Sequence, residues 1–356
     1  MITIKDIAEK CNVSTATVSN VLSGKEKSSE ETKKRILAAA KELGYRPQRV
    51  HRGSHGTSRK CIGILAEELT TDFSLNMLNG ISHACQELGF NMQLFNICFT
   101  DYQIPNFDYI SFQNSDSYQS LLEKGIHTFL QNNVSGIIFM GAHPRSMKGL
   151  LPDLPVPIAY AFCYTDSTDY CLNSDDYQGA QLALQHLINL GHRRIAIVCG
   201  PINSVPTHRR LSGYQDTLLQ NGLTLYPDYI LSGDWSMESG AAAAERIFLM
   251  KERPSAVFCM SDEMAAGLMH YMSNNHFLIP EDLSVIGFDG REMVRYCQPS
   301  LCSIRQPFTQ MGYQAVLAIH KQISKTLSTD DNSILLPCHL IPGKSVGPAV
   351  NSTISN

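Results

Sequence analysis

Apolar residues recur at helical spacing in three short runs at the start of the chain. Ile4, Ile7, Ala8 and Cys11 form the first, which Thr3 is placed to cap together with Asp6 three residues on. Asn12 and Val13 make a tight turn. Ser14 then caps a second helix over 15–22, with Val18, Val21 and Leu22 on its buried side, and Gly24 ends it. Ser28, Ser29, Glu30 and Glu31 signal a third helix, whose apolar face is Ile36, Leu37, Ala40 and Leu43 and which Gly44 stops. Two helices joined by so short a turn have the spacing of a helix-turn-helix, although any small three-helix bundle shares it.

Residues 46–60 (RPQRVHRGSHGTSRK) hold Arg46, Arg49, Arg52, Arg59 and Lys60 with almost nothing apolar, and read as a tether that also meets phosphates. From Cys61 the pattern changes. Short apolar runs at 61–66, 91–97, 136–141, 157–162, 194–200, 255–260 and 283–288 alternate with helical stretches at 74–88, 117–132, 177–190, 207–220, 237–250 and 262–273. Such alternation predicts βαβ units, hence parallel sheets with helices on both faces. The region is long for one sheet, so two lobes are expected, with a ligand crevice between them beyond the strand ends.

Charge favours the DNA-binding reading of the head. Residues 1–60 carry 13 Lys and Arg against 6 Asp and Glu, a net of +7, so the rest of the −4 chain is at −11. A basic head on an acidic body implies that the head meets a polyanion and the body avoids one. Eleven scattered cysteines, none in a C-x-x-C pair, write neither a zinc site nor a thioredoxin-type motif and fit a reducing compartment. No apolar run approaches the roughly 18 residues that span a bilayer, and the first residues lack a signal-peptide profile. A cytoplasmic protein without a membrane partner is expected.

The run ITIKDIAEKCNVSTATVSNVLSGKEKSSEETKKRILAAAKELGYRP resembles the DNA-binding head of the lactose/galactose-repressor (LacI) family of bacterial transcription regulators. The stretches DDYQGAQLALQHLINLGHRRIAIVCGP, RRLSGYQDTLLQNGL, GDWSMESG, AVFCMSDEMAAG, IPEDLSVIGFDG and PSLCSIRQPFTQMG are similar, in order, to blocks of that family's effector domain. The resemblance implies an all-α helix-turn-helix head and an α/β effector domain of two Rossmann-like lobes of the periplasmic-binding-protein type. The expected divisions are 1–46 for the head, 47–60 for the hinge and 61–343 for the effector domain, with a tail at 344–356. Within the effector domain, the N-lobe is expected at about 61–161 and 291–325, and the C-lobe at about 162–290 and 326–343. The implied partners are a near-palindromic double-stranded operator, a small effector and a second copy of the chain. The C-terminal GKSVGPAVNSTISN has no leucine heptads, which favours a homodimer over a tetramer.

By the same resemblance Thr15, Ala16 and Asn20 are the base-reading positions: Thr and Ala suit a thymine methyl, and Asn a bidentate pair with adenine. Thr3, Ser14, Thr17, Ser19 and Tyr45 match phosphate-holding positions, with Arg49 and Arg52 adding contacts from the tether. The hinge departs from the family. Its A-x-x-L core, which wedges leucines into the minor groove, is here His51 and Ser54 with Gly53 and Gly56, so weaker bending and salt-sensitive binding are expected.

In the effector domain Arg210 matches a clamp for ligand hydroxyls or carboxylates, Trp235 a stacking platform, Asp289 a hydroxyl or ring-nitrogen acceptor, and Gln306 a lobe-crossing position near the pocket. Phe73, Phe162 and Ser261 complete the expected lining. Ser261 stands where sugar-binding relatives carry Asn, and Phe162 where many carry an aspartate; Asp262 reads as a helix cap. Residues 97–118 form a long aromatic connection, read either as overhanging the cleft or as a surface loop packed on the lobe. A sugar is the first choice of effector and a purine or nucleoside the second. A regulator controlled by a protein partner, or a cytosolic solute-binding protein, is the rival class.

No catalytic constellation is written. Gly343-Lys344-Ser345-Val346-Gly347 fits G-x-S-x-G, but no histidine follows Ser345, and Cys338 occupies the glycine position that a P-loop reading requires. Neither a metal nor a cofactor is expected, and the chain is not read as an enzyme. His192 is read as structural.

Overall fold

The computed structural model describes residues 3–22, 29–43, 60–97, 113, 115–165, 170–324 and 333–349. The chain divides into a unit over Met1–Ser58 and a unit over Arg59–Asn356.

In the first unit α1 (Ile4–Lys10), α2 (Thr15–Leu22) and α3 (Glu30–Glu42) surround a small core of Ile7, Val18, Val21, Ile36 and Ala40. Thr3 starts α1 through a reciprocal capping box, its backbone N–H donating to Asp6 Oδ2 at 2.7 Å. Those bonds from Thr3 hold the Asp6 carboxyl below its ordinary pKa. Asn12, at φ 49°, makes the turn that lets α2 cross α1. Leu37, expected inside, is 53% exposed, and Ala39 takes the buried position beside Ala40.

The second unit holds two six-stranded sheets. The first contains β1 (Cys61–Ala66), β2 (Asn91–Asn96), β3 (Gly136–Met140), β4 (Ile158–Ala161) and β5 (Tyr170–Ser174), all parallel. On one face lie α4 (Asp72–Leu88) and the late helix α10 (Phe308–Ile323), packed through Met77, Ile81, Met311 and Ala315. On the other lies α5 (Asp116–Gln131), through Leu122, Ile126 and Phe129.

The second sheet contains β6 (Ile195–Val198), β7 (Ile230–Leu231), β8 (Ala256–Cys259), β9 (Ser284–Asp289), β10 (Cys302–Arg305) and the antiparallel edge strand β12 (His339–Ile341). Helices α6 (Asp176–Asn189), α7 (Val205–Gln220), α8 (Met237–Leu249) and α9 (Asp262–Asn274) complete this lobe. The remaining strand, β11 (Ser333–Leu336), pairs with β5 in the first sheet. The expected fold class is the one found.

The lobe boundaries differ from those expected. The N-lobe extends past 161, because β5 adds to its sheet in register with β4. Residues 291–325 do not all belong to it, because β10 pairs with β9 in the C-lobe. Residues 326–343 are shared, with β11 in the N-lobe sheet and β12 in the C-lobe sheet. The chain therefore crosses between lobes three times: after β5, after β10 and after β11. Residues 344–349 are no free tail. Ser345 is buried, accepts from the Cys302 N–H at 2.8 Å and donates to the Val285 carbonyl at 2.6 Å, while His192 bonds Ser255 and the Gly347 carbonyl. Both Ser345 and His192 are structural.

Candidate functional site

In the helical head, Ser14 sits ahead of α2 and its Oγ accepts from the Thr17 N–H at 3.1 Å. That bond, with the Ser14–Thr17 hydroxyl pair at 2.8 Å, fixes the first turn of the helix. Thr15, Ala16 and Ser19 are exposed, whereas Thr17 and Asn20 are half-buried; Thr3 is exposed at the start of α1. The first turn of α2 thus offers a short, uncharged surface, while Val18 and Val21 face the core. Tyr45, Arg49 and Arg52, and the hinge positions His51 and Ser54, lie outside the described residues, as does most of 97–118.

In the two-lobed unit the seven expected effector residues come together. Phe73, Phe162, Arg210, Trp235, Ser261, Asp289 and Gln306 all line one cavity of about 190 Å³ between the lobes. Strand ends and helix starts bring them there. Phe73 opens α4, Phe162 follows β4, Ser261 follows β8, and Asp289 ends β9. Phe162, Trp235 and Asp289 hold φ of 60°, 75° and 119°. Left-handed backbone at non-glycine residues costs roughly 1–3 kcal/mol each and persists where the surroundings impose it. Gly200 is one such constraint: a Cβ there would lie 2.1 Å from the Trp235 ring, so only glycine lets the indole settle against β6's end.

On the N-lobe side an aromatic cluster stands beside Glu68, Thr71 and His143. Phe73 stacks on Phe308 at 4.7 Å, and Phe162 meets Phe308 edge-on at 5.0 Å. The C-lobe floor is charged and buried. Arg210 Nε donates to Asp176 Oδ1 at 2.8 Å, its Nη1 donates to the Met260 carbonyl and stands 3.7 Å from Asp289 Oδ1, and its Cζ lies 3.6 Å from the Phe288 ring centre. Most of its donors are thus committed to the protein, so Arg210 builds the floor at least as much as it offers a clamp. Gln306 Nε2 donates to Asp289 Oδ1 at 2.8 Å, which leaves the Gln306 Oε1 buried and without a partner. Burial pushes the Asp289 carboxyl up to about 7, against the pull of Arg210. At neutral pH it is therefore placed to accept from a ligand or to donate to one.

Ser261, not Asp262, caps α9, accepting from the Met264 N–H at 3.1 Å. Asp262 is fully buried and accepts from the Arg291 N–H at 2.8 Å and the Ser303 hydroxyl at 2.5 Å. Sequence reasoning missed His143 and Arg291. His143 lines the cavity, its Nε2 lies 3.2 Å from Ser204 Oγ in the opposite lobe, and its ring centre is 6.3 Å from that of Trp235. A lone histidine after a strand carries no pattern by which to find it.

Burial, with Arg145 and Arg210 nearby, lowers the His143 pKa to about 4. Because the folded value lies below the unfolded one of about 6.5, the stability it contributes is present above pH 6.5 and is lost as pH falls towards 4. At pH 5 the loss is expected to reach about 2 kcal/mol. Urea unfolding at pH 7 and pH 5 checks this, with His143→Gln expected to remove most of the difference; an unchanged difference would place the acid sensitivity elsewhere.

Among the described residues no cluster of metal-ligating side chains occurs, and no helix is long and apolar enough to cross a membrane. The ten described cysteines are free, and burial pushes several up, Cys199 to about 12, so they act as small apolar side chains.

Comparison with known proteins agrees with this architecture. Residues 3–48 match the profile described as bacterial regulatory proteins, lacI family, and residues 184–346 that of a periplasmic binding protein-like domain. A helix-turn-helix head joined to a two-lobed binding domain defines a DNA-binding transcription regulator. The chain belongs to the lacI family of bacterial regulatory proteins. It is 31% identical to catabolite control protein A of Priestia megaterium, over 96% of this chain and 97% of that protein. It is 30% identical to the HTH-type transcriptional repressor PurR of Photobacterium profundum, over 91% and 92%. A crystal structure of the Lac repressor shares the fold with a TM-score of 0.69 at 24% identity, covering 97% of this chain and 99% of that one. The relatives are named as regulators and repressors, not as enzymes.

Proposed function

We propose that this protein is a repressor that binds a near-palindromic operator as a homodimer, with its grip set by a small sugar in the inter-lobe cleft. The observation that carries the reading is the convergence of an aromatic wall, Trp235, Asp289 and Gln306 on one cavity. Ligand pockets usually measure roughly 300–1,000 Å³, so a cavity of about 190 Å³ suits a single ring. A pyranose or furanose stacks one face on an aromatic and turns its hydroxyls to the polar floor. The aromatic part of the N-lobe wall favours a second reading, a nucleobase held between Phe73, Phe162 and Trp235. A relative named as a ribose operon repressor and a solved neighbour described as a CelR–cellobiose complex support the sugar reading.

A ligand shifts the lobes, and through them the DNA affinity, only by its differential affinity for the two states, and the coupling is reciprocal. Fluorescence anisotropy on the gene's own promoter fragment, with and without monosaccharides and nucleobases, tests the whole reading. Trp235→Ala is expected to abolish the ligand response while leaving operator binding intact. In the head, Asn20→Ala is expected to weaken the cognate site by about 1–3 kcal/mol and relax specificity at one base pair. Thr17→Ala is expected to weaken all sequences alike. Equal affinity for the promoter and for random duplex would reject the reading.

A further inference from the structure

The inter-lobe cleft does not end at the ring-sized cavity. A second cavity of about 580 Å³ lies beside it, lined by Arg295, Arg305, Thr309 and His339 among others. The two cavities share Phe73, Asp289, Arg291 and Gln306. Of these, Arg291 is tied to both lobes. It follows β9 directly after Gly290, whose φ of 67° turns the chain and whose missing Cβ would lie 2.6 Å from Arg305. Its backbone N–H is anchored on Asp262. Its Nε then donates to Asp72 Oδ1 at 3.2 Å, on the N-lobe helix α4, while its Nη1 donates to Glu263 on the C-lobe helix α9. The guanidinium carbon stands 5.3 Å from the centre of the Phe73 ring. A planar, permanently charged group is thus held between two carboxylates where the two spaces meet.

We propose that Arg291 sets the size of ligand this protein accepts, dividing one cleft into a smaller single-ring chamber and a larger one beside it. The proposal rests on the reading of the cleft as a ligand site. An extended ligand must displace the guanidinium from Asp72 and Glu263, and leaves those carboxylates unpaired. That penalty works against the larger competitor and leaves the smaller ligand untouched. The neutral compounds that the smaller chamber fits, a monosaccharide or a nucleobase, should therefore be preferred to the same ring carrying a second one.

The test uses the full chain and two matched pairs of neutral probes, glucose with cellobiose and adenine with adenosine, titrated calorimetrically against wild type and Arg291→Ala. Wild type is expected to favour the single ring of whichever pair binds by at least tenfold, and Arg291→Ala to reduce that preference at least tenfold. Wild type that binds the larger member equally well, or a variant with an unchanged ratio, overturns the proposal.

Quenching of Trp235, the single tryptophan, by acrylamide decides the matter without a ligand. The quenching constant should at least double in Arg291→Ala. The double variant Asp72→Asn/Glu263→Gln, which loses the anchoring charges but keeps the arginine's bulk, should show a smaller rise. An unchanged constant in Arg291→Ala overturns the partition, and an equal rise in the double variant makes Arg291 a tie between lobes and not a wall. If neither pair binds while quenching rises as expected, the sugar and nucleobase readings fail and the partition stands. Thermal unfolding of each variant verifies that the fold persists.

Discussion

Replacing Arg210 by alanine is expected to destabilise the two-lobed unit by about 3–5 kcal/mol, the usual consequence of stranding one member of a buried ion pair. Its side chain is 4% exposed and that of Asp176 2%. Removing the guanidinium leaves the Asp176 carboxylate without its cation, frees the Met260 carbonyl, and strips the Phe288 ring of a charge 3.6 Å from its centre. Asp289, already raised by burial, loses the neighbour that holds its carboxyl down, so its pKa should climb further. Arg210→Lys should recover only part of the loss, since an ammonium cannot serve Asp176 and the Met260 carbonyl from one plane. The double variant Arg210→Met/Asp176→Leu should be less damaged than the single alanine variant, because no charge is left stranded. Urea unfolding at pH 7 measures all of these. An unfolding midpoint unmoved in Arg210→Ala, together with a lost ligand response, would mean that the arginine serves the ligand alone.

This assignment shows where sequence reading succeeds and where it stops. The helices of the head and most strands follow from periodicity, since buried strands here are short apolar runs and the helical faces repeat at 3.6 residues. The resemblance then placed seven residues that the fold collects around one cavity. It could not say that the donors of Arg210 are mostly committed to the protein, because its partners sit 34 and 50 positions away.

The strand β5 escaped for a related reason. Its sequence ends in Asn173 and Ser174, which interrupt the apolar pattern, yet both are buried, and the Asn173 amide donates to the Cys163 carbonyl at 2.8 Å. With β5 unread, the N-lobe appeared to close one strand early, and the later crossings shifted with it. Strands β10 and β12 are short, and only their pairing assigns them to a lobe. Arg291 gave no signal at all: an arginine in a loop is ordinarily solvated, and only the approach of α4 and α9 gives it a task.

The second large effect concerns a network wholly unforeseen from the sequence. Glu67 follows β1, is fully buried, and accepts from the Ala142 N–H at 2.8 Å, from both terminal nitrogens of Arg145 and from the Tyr118 hydroxyl. Arg145 is itself buried, and its Nε donates to Gln113, whose amide donates to the Ser146 carbonyl at 3.0 Å. The network pins the segment after β3, from which Ala142, His143 and Pro144 reach the cavity. Glu67→Ala leaves a buried guanidinium, a phenol and a backbone N–H without their acceptor at once, so a loss of about 3–5 kcal/mol is expected. Glu67→Gln keeps a carbonyl for one donor and should cost less. Glu67→Met/Arg145→Met, which removes both charges, should be more stable than Glu67→Ala, and that ordering is what an ion pair retained for positioning requires. If the segment does position His143, the double variant should also lose the His143-dependent part of the stability difference between pH 7 and pH 5, even where its fold survives. An alanine variant as stable as wild type, or a double variant that keeps the full His143-dependent difference, would mean that the cluster holds no segment in place.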